Sequence, residues 1–316
     1  MEYRTLGRTG LKVSLLSYGT GGPSRFGQRA GMSAQERNRL IRRCLDLGIN
    51  LFDSSEQYGD SEDMLGAALE GVPRDSYILA TKWGHSRNQH KEMKEDPEEL
   101  ARSVEGSLSR LRTDYIDVMQ FHGLTAWQHD EVVERFYPVM RRLREQGKVR
   151  FIGFSEMMTI EPRHDGATEA LRKAPELWDT VMLKYGILNQ WAAKEALPLA
   201  QEHNVGILNM APVRLTLTRP EEMRAVLDEW RDDPDIPVEL LPQDDPLGWL
   251  ARDGADSVIS AGYKFATSHP AISTVITGTS SIEHLEANVA AINGSPLPED
   301  VHAKLVEVFG NTASTH

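Results

Sequence analysis

Between residues 15 and 292 short apolar runs take turns with longer amphipathic stretches, and this alternation leaves few folds open. A strand followed by a helix crosses over before it meets the next strand, so neighbouring strands run parallel. Runs at 15–18, 49–52, 77–81, 115–121, 149–155, 179–185, 205–210 and 272–277 read as strands. Stretches at 33–47, 61–70, 97–112, 130–146, 168–174, 192–203, 254–268 and 281–292 read as helices. Their ends carry local marks: Ser33 and Ser61 as N-caps, Pro97 at the first helical position, and Gly48, Gly71 and Gly147 just past helix ends. Eight such units favour a closed (β/α)8 TIM barrel over a doubly wound sheet. A dinucleotide fold of the doubly wound kind needs G-x-G-x-x-G leading into a helix; here Gly19-Thr20-Gly21-Gly22-Pro23 leads into a loop. One α/β domain over residues 1–316 follows.

Two stretches stand outside the alternation. Residues 3–14 read as a β-hairpin with a glycine-bearing turn. Residues 212–253, after the seventh strand, hold Pro220, Pro234, Pro237, Pro242 and Pro246 among many acids, with one helix expected at 221–230. A loop of that length on a barrel rim is expected to form a lid over a pocket.

Composition narrows the partners. The formal net charge is −12 with no compensating basic patch, which argues against nucleic acid and anionic membrane. Met1-Glu2-Tyr3-Arg4 lacks the apolar core of a secretory signal, and no run has bilayer-spanning length, so a cytoplasmic location is expected. The single cysteine, Cys44, excludes an intramolecular disulfide and thiolate-cluster metal sites, and its helical position reads as a buried structural thiol. No metal site is expected.

Chemistry gathers at the strand ends. The second run ends on Asp53, with Tyr58 on the following turn; the third ends on Lys82 and the fourth on His122. Each alone has a plain structural reading: a helix-entry acid, a packed tyrosine, a solvated lysine, a satisfied core histidine. In a parallel barrel all the strand tips share one face, so the four side chains converge. FDSSEQYGDSEDMLGAAL, PRDSYILATKWG, SLSRLRTDYIDVMQFH, GKVRFIGFS and TVITGTSSIEHLEANV together resemble the aldo-keto reductase family over nearly the whole chain.

The resemblance implies a catalytic tetrad of Asp53, Tyr58, Lys82 and His122, and a hairpin that plugs the barrel floor. It implies an oxidoreductase that interconverts a small aldehyde or ketone and its alcohol, with NADP(H) or NAD(H) supplying the hydride. Tyr58 is then the proton donor; the Lys82 ammonium favours its phenolate, Asp53 holds Lys82 charged, and His122 donates to the carbonyl oxygen. The alternative is a nucleotide-binding regulatory or scaffold protein of the same fold with little turnover. Cofactor contacts are implied at Gly19, Thr20 and Asp53, although a glycine-rich tip serves equally as a simple turn. Further contacts are implied at Ser155 and Glu156, where the family carries Ser-Asn, at Met182, where it carries Gln, and at Tyr185. Met210-Ala211-Pro212 stands in for Tyr-Ser-Pro, with Arg214 beyond. Glu156 is expected to accept from the nicotinamide amide, and Met210 to cover the ring face. Gly278, Thr279, Ser280, His284 and Asn288 occupy the adenosine end. No Lys or Arg occurs between Lys264 and Lys304, so the cationic clamp for a 2′-phosphate is missing there. Trp83, His85 and Trp127 are expected to shape the substrate pocket. Substrate identity and oligomeric state stay open.

Overall fold

The computed structural model describes residues 1–84, 93, 95–253 and 255–315. Strands β1 (Tyr3–Thr5) and β2 (Lys12–Ser14) pair antiparallel as the hairpin. The barrel strands follow: β3 (Leu16–Gly19), β4 (Leu51–Asp53), β5 (Ile78–Trp83), β6 (Ile116–Leu124), β7 (Val149–Glu156), β8 (Thr180–Leu183), β9 (Gly206–Asn209) and β10 (Ile272–Thr277). They close in sequence order, with β10 pairing both β9 and β3, and every rung is parallel. The barrel expected from the alternation is the barrel found.

The strand period of two sorts side chains between two cores. Leu51, Ile78, Ala80, Val118, Met182 and Leu208 face inward and share one buried cluster with Leu6 and Val13 of the hairpin. The hairpin therefore plugs the floor. Alternate residues such as Phe52, Leu79, Phe121, Phe154, Val181 and Ile207 belong to the larger apolar layer shared with the helices. Cys44 lies in that layer, and burial pushes its thiol up, away from reactivity.

Several boundaries differ from expectation for local reasons. Ser33 caps its helix (Ala34–Asp46) through a full capping box with Glu36. Ser61 is instead the first residue of Ser61–Ala68, after Asp60, and its hydroxyl donates to the Tyr58 carbonyl at 2.9 Å. The helix expected at 130–146 is broken: Val132–Phe136 forms a turn of π-helix before Tyr137–Glu145. Pro138 has no N–H for the carbonyl four residues back, which widens the preceding turn. The expected start of the helix at 254–268 falls on a residue outside the described set; Ser257 caps Val258–Ser268.

The long insertion is ordered. Helix Pro220–Glu229 lies close to the expected span, and Met223, Val226 and Leu227 on it are buried. Trp230 meets Phe309 of the helix Glu299–Phe309 at a ring distance of 6.3 Å, and Asn311 donates to the Asp235 carbonyl at 2.9 Å. That last helix was not anticipated, although Pro298 and the acids Glu299 and Asp300 mark its start.

Hairpin and barrel meet at a glycine pair. Gly7 has φ +48°, and a Cβ there would overlap the backbone of Gly206 at the base of β9. Gly10, at φ +70°, has nothing within 4 Å of such a Cβ. We expect Gly10→Ala to cost only the left-handed strain, about 1–2 kcal/mol. Gly7→Ala should cost clearly more, because the plug must also move. Urea unfolding of the two variants side by side checks this.

Candidate active site

The inward parity that builds the floor runs on to the rim. Two residues beyond Leu51 is Asp53; two beyond Ala80 is Lys82; Val118 leads through Gln120 to His122. Lys82 is fully buried, a costly position for an ammonium. It donates to both Asp53 oxygens, at 2.8 and 2.6 Å, and to the Ser54 carbonyl at 2.7 Å. Burial works to strip its proton, but Asp53 and then Tyr58 outweigh it, and its pKa is raised above the ordinary lysine value.

Tyr58 completes the cluster. Lys82 Nζ lies 5.0 Å from the centre of its ring. The His122 ring meets it edge-on at 5.6 Å and 85°. The four residues named from the sequence are brought together.

Supporting groups come from positions the sequence did not single out. Ser55 Oγ lies 3.0 Å from His122 Nδ1, which leaves Nε2 as the other ring nitrogen. Gln120, fully buried, places Nε2 3.5 Å from Asp53, and its Oε1 has no partner among the described residues. Gly21 matters for what it lacks: a Cβ there would come within 2.6 Å of the Tyr58 ring. That clearance lets the loop after β3 close over the phenol.

The remaining sequence-chosen residues form an arc along the other strand tips. Gly19 pairs with Asp53, and Thr20 donates its N–H to the Asp53 carbonyl at 2.8 Å. Ser155 sits across from His122 on β7, and its hydroxyl accepts the Gly123 N–H at 3.0 Å. Met182 pairs with Ser155 and faces the barrel interior. Met210 packs against that interior cluster, Ala211 adopts φ +48°, and the Pro212 carbonyl leaves no room for a Cβ at Gly186. Burial, joined by the Arg214 charge, pulls Lys184 down to about 7.

At the far end of the arc, Gly278 approaches the loop after β3 so closely that a Cβ would lie 3.3 Å from the Gly19 carbonyl. The Thr279 carbonyl accepts from Tyr18 at 2.6 Å. Ser280 and Ser281 lead into the helix Ile282–Asn293, and Ser281 caps the N–H of His284. The first-turn N–H groups of a helix have no partner within it, so this end can take a phosphate. Asn288 donates to Thr277 at 3.0 Å and Tyr263 at 3.2 Å. Gly278 to Asn288 thus offers backbone donors and hydroxyls suited to a dinucleotide. One cation near this helix was not foreseen: Arg43, 2.7 Å from Glu286.

Two residues expected to touch the cofactor, Tyr185 and Glu156, and one expected in the pocket, Trp83, have neighbours on the helix side of the sheet. Tyr185 has outward parity, so its ring stacks on Phe265 at 5.5 Å, and burial pushes its hydroxyl up to about 12. Trp83 likewise packs against Phe136 and Phe121 between sheet and helices. Glu156 shares the outward parity of Phe154, whose ring meets Trp178, and its carboxylate turns to His164 and the Lys184 N–H. Trp127 is 39% exposed, and His85 lies outside the described residues. Among the described residues no cluster of three metal-ligating side chains occurs, and no helix is long and apolar enough to cross a membrane.

The chain belongs to the aldo/keto reductase family, whose barrel it shares. The model of the "Aldo/keto reductase family" matches residues 16–309. The chain is 31% identical to L-galactose dehydrogenase of Arabidopsis thaliana, covering 92% of this chain and 88% of the relative. It is 27% identical to a probable voltage-gated potassium channel subunit beta of Oryza sativa, over 94% of this chain and 93% of that one. An aldo-keto reductase from Bacillus halodurans, solved in its holo form, superposes with a TM-score of 0.73 at 27% identity, over 100% of this chain and 98% of that one. The protein is an NAD(P)-dependent oxidoreductase.

The buried pair carries a stability consequence. Lys82→Met leaves the Asp53 carboxylate without its counter-charge and should cost about 3–5 kcal/mol. Asp53→Asn combined with Lys82→Met should recover a large part of that loss, because no charge is then stranded. Urea unfolding of wild type, single and double variants measures both.

Proposed function

We propose that the protein interconverts a small aldehyde or ketone and its alcohol, with Tyr58 as the proton donor. The observation that carries this is the buried Lys82–Asp53 pair set beneath Tyr58, with His122 beside the phenol. A nicotinamide held at the rim would supply or accept the hydride. In the reducing direction the substrate oxygen gains negative charge, and the Tyr58 hydroxyl gives it a proton. The phenolate left behind is stabilised by the Lys82 ammonium, which Asp53 keeps charged. Ser55, donating its O–H to His122 Nδ1, keeps the imidazole proton on Nε2, where it can be donated to the carbonyl oxygen. The alcohol-oxidising direction runs these proton steps in reverse. The name of the Arabidopsis relative supports sugars as one substrate class to include.

Cofactor contacts fall to Gly19, Thr20, Ser155 and Met210-Ala211-Pro212 at the nicotinamide side, with Arg214 near the pyrophosphate. Gly278, Thr279, Ser280, His284 and Asn288 serve the adenosine side. The helix that begins there carries Glu283 and Glu286 and no lysine or arginine. NADPH should therefore hold no strong advantage over NADH. A charge-assisted bond contributes about 1.5–3 kcal/mol, so two missing ones remove roughly 10²–10⁴-fold of discrimination.

Two measurements test the reading. Tyr58→Phe should lose about 10²–10⁴-fold in turnover on a panel of aldehydes, ketones and sugars while still binding nucleotide. Near-native turnover would remove Tyr58 from its role, and nucleotide binding by wild type without turnover on any substrate would favour the scaffold. Dissociation constants for NADH and NADPH at pH 8 should agree within about tenfold, a gap of 1.4 kcal/mol. NADPH binding about a hundredfold tighter would sink the nucleotide assignment and direct attention to Arg43.

A further inference from the structure

We infer that His164 and Glu156 form a charged, buried pair that positions the nicotinamide end of the site, with Glu156 acting through the strand tips rather than by touching the cofactor. This rests on the oxidoreductase reading for its functional part only; the ion pair stands on its own geometry.

The hydrogen bonds fix the protons. His164 is fully buried and held at φ +65°, just before the helix Asp165–Lys173. Its Nδ1 lies 2.9 and 2.8 Å from the two Glu156 oxygens. Its Nε2 lies 3.0 Å from Asn189 Oδ1. Asn189 Nδ2 faces the carbonyls of Pro162 and Ser314, each at 3.1 Å. Carbonyls only accept, so the amide cannot be flipped, its oxygen must face His164, and Nε2 must donate. With Glu156 ionised, as the pair we infer requires, Nδ1 donates to it as well and the ring is an imidazolium. Burial opposes this charge, but Glu156 and Asn189 outweigh it and raise the His164 pKa. Two other titratable groups act on the pair: the buried Lys184 amino group, which donates to the Ser314 carbonyl at 3.0 Å and is easily deprotonated there, and the Glu161 side chain, held by the N–H groups of Ala126 and Gly166.

The pair extends the sheet. The last β7–β8 rung joins Ser155 to Met182; beyond it Glu156 Oε1 takes the Lys184 N–H at 2.9 Å. Neighbouring tips use the same device: Ser155 takes the Gly123 N–H beside His122, and Asn209 takes the Tyr185 N–H at 2.9 Å. Side chains thus set the spacing of four consecutive strand tips where the nicotinamide is to lie. Without His164 the Glu156 carboxylate is stranded, and this added rung is expected to be lost with it.

Nitrogen-15 spectra of the labelled full-length protein at pH 7.5, with His164 assigned from the His164→Gln variant, should show two protonated ring nitrogens; a single neutral tautomer overturns the charged pair. NADH affinity, read by fluorescence, should weaken by about tenfold or more in His164→Gln and return to within about threefold of wild type in Glu156→Gln/His164→Gln. A double variant no better than the single would show that His164 serves packing alone and would overturn the positioning role. Wild type that binds neither NADH nor NADPH would overturn the oxidoreductase reading and this role with it, and the spectra would still decide the ion pair.

Discussion

An ammonium buried at the end of a barrel strand is the constraint on which the active half of this molecule depends. Lys82 has no access to water, so its charge survives only where Asp53 and the Ser54 carbonyl surround it. That requirement fixes the register of β4 against β5, because both groups must meet at the same height. It also orders the turn after β4, which carries Ser55 and Tyr58. Stability and chemistry are therefore tied: the interaction that makes the rim costly to disturb is the one that charges the site.

The fold was legible because eight apolar runs recur with helices between them, and no single boundary had to be right. The convergence of the four rim side chains was legible for a related reason. Asp53, Lys82 and His122 keep the inward parity of Leu51, Ala80 and Val118, so strand period and chemistry agree. Elsewhere motif position and parity point in different directions. Tyr185 and Glu156 were assigned by motif position, yet each falls on the outward face of its strand and packs toward the helices. Pro138 was visible in the sequence and its effect on the helix was overlooked.

Other features could not have been read at all. Ser55 with His122, Asn189 with His164, and Arg43 with Glu286 lie 67, 25 and 243 residues apart. No local pattern encodes such contacts; they arise from strand order, loop path and helix packing together. The long insertion shows the same limit. Its prolines and acids announced an irregular segment, but not that Trp230 and Asp235 anchor it to the C-terminal helix and the turn beyond.

In the reading proposed above, the rim divides into two arcs that meet at two seams, Gly19 against Asp53 and Ser155 against His122. There the proposed proton chemistry falls to β4, β5 and β6, and the proposed nucleotide contacts fall to β3 and to β7 through β10. Because consecutive strands form each arc, changes made away from those two seams need not pass from one arc to the other. A lineage could exchange the helix after β10 for one bearing arginines and so change its electron source, with the acid that serves the substrate left intact. Altered loops around Tyr58 could in turn admit new substrates without renegotiating the nucleotide. The closed ring thus behaves, under selection, as two separately adjustable parts.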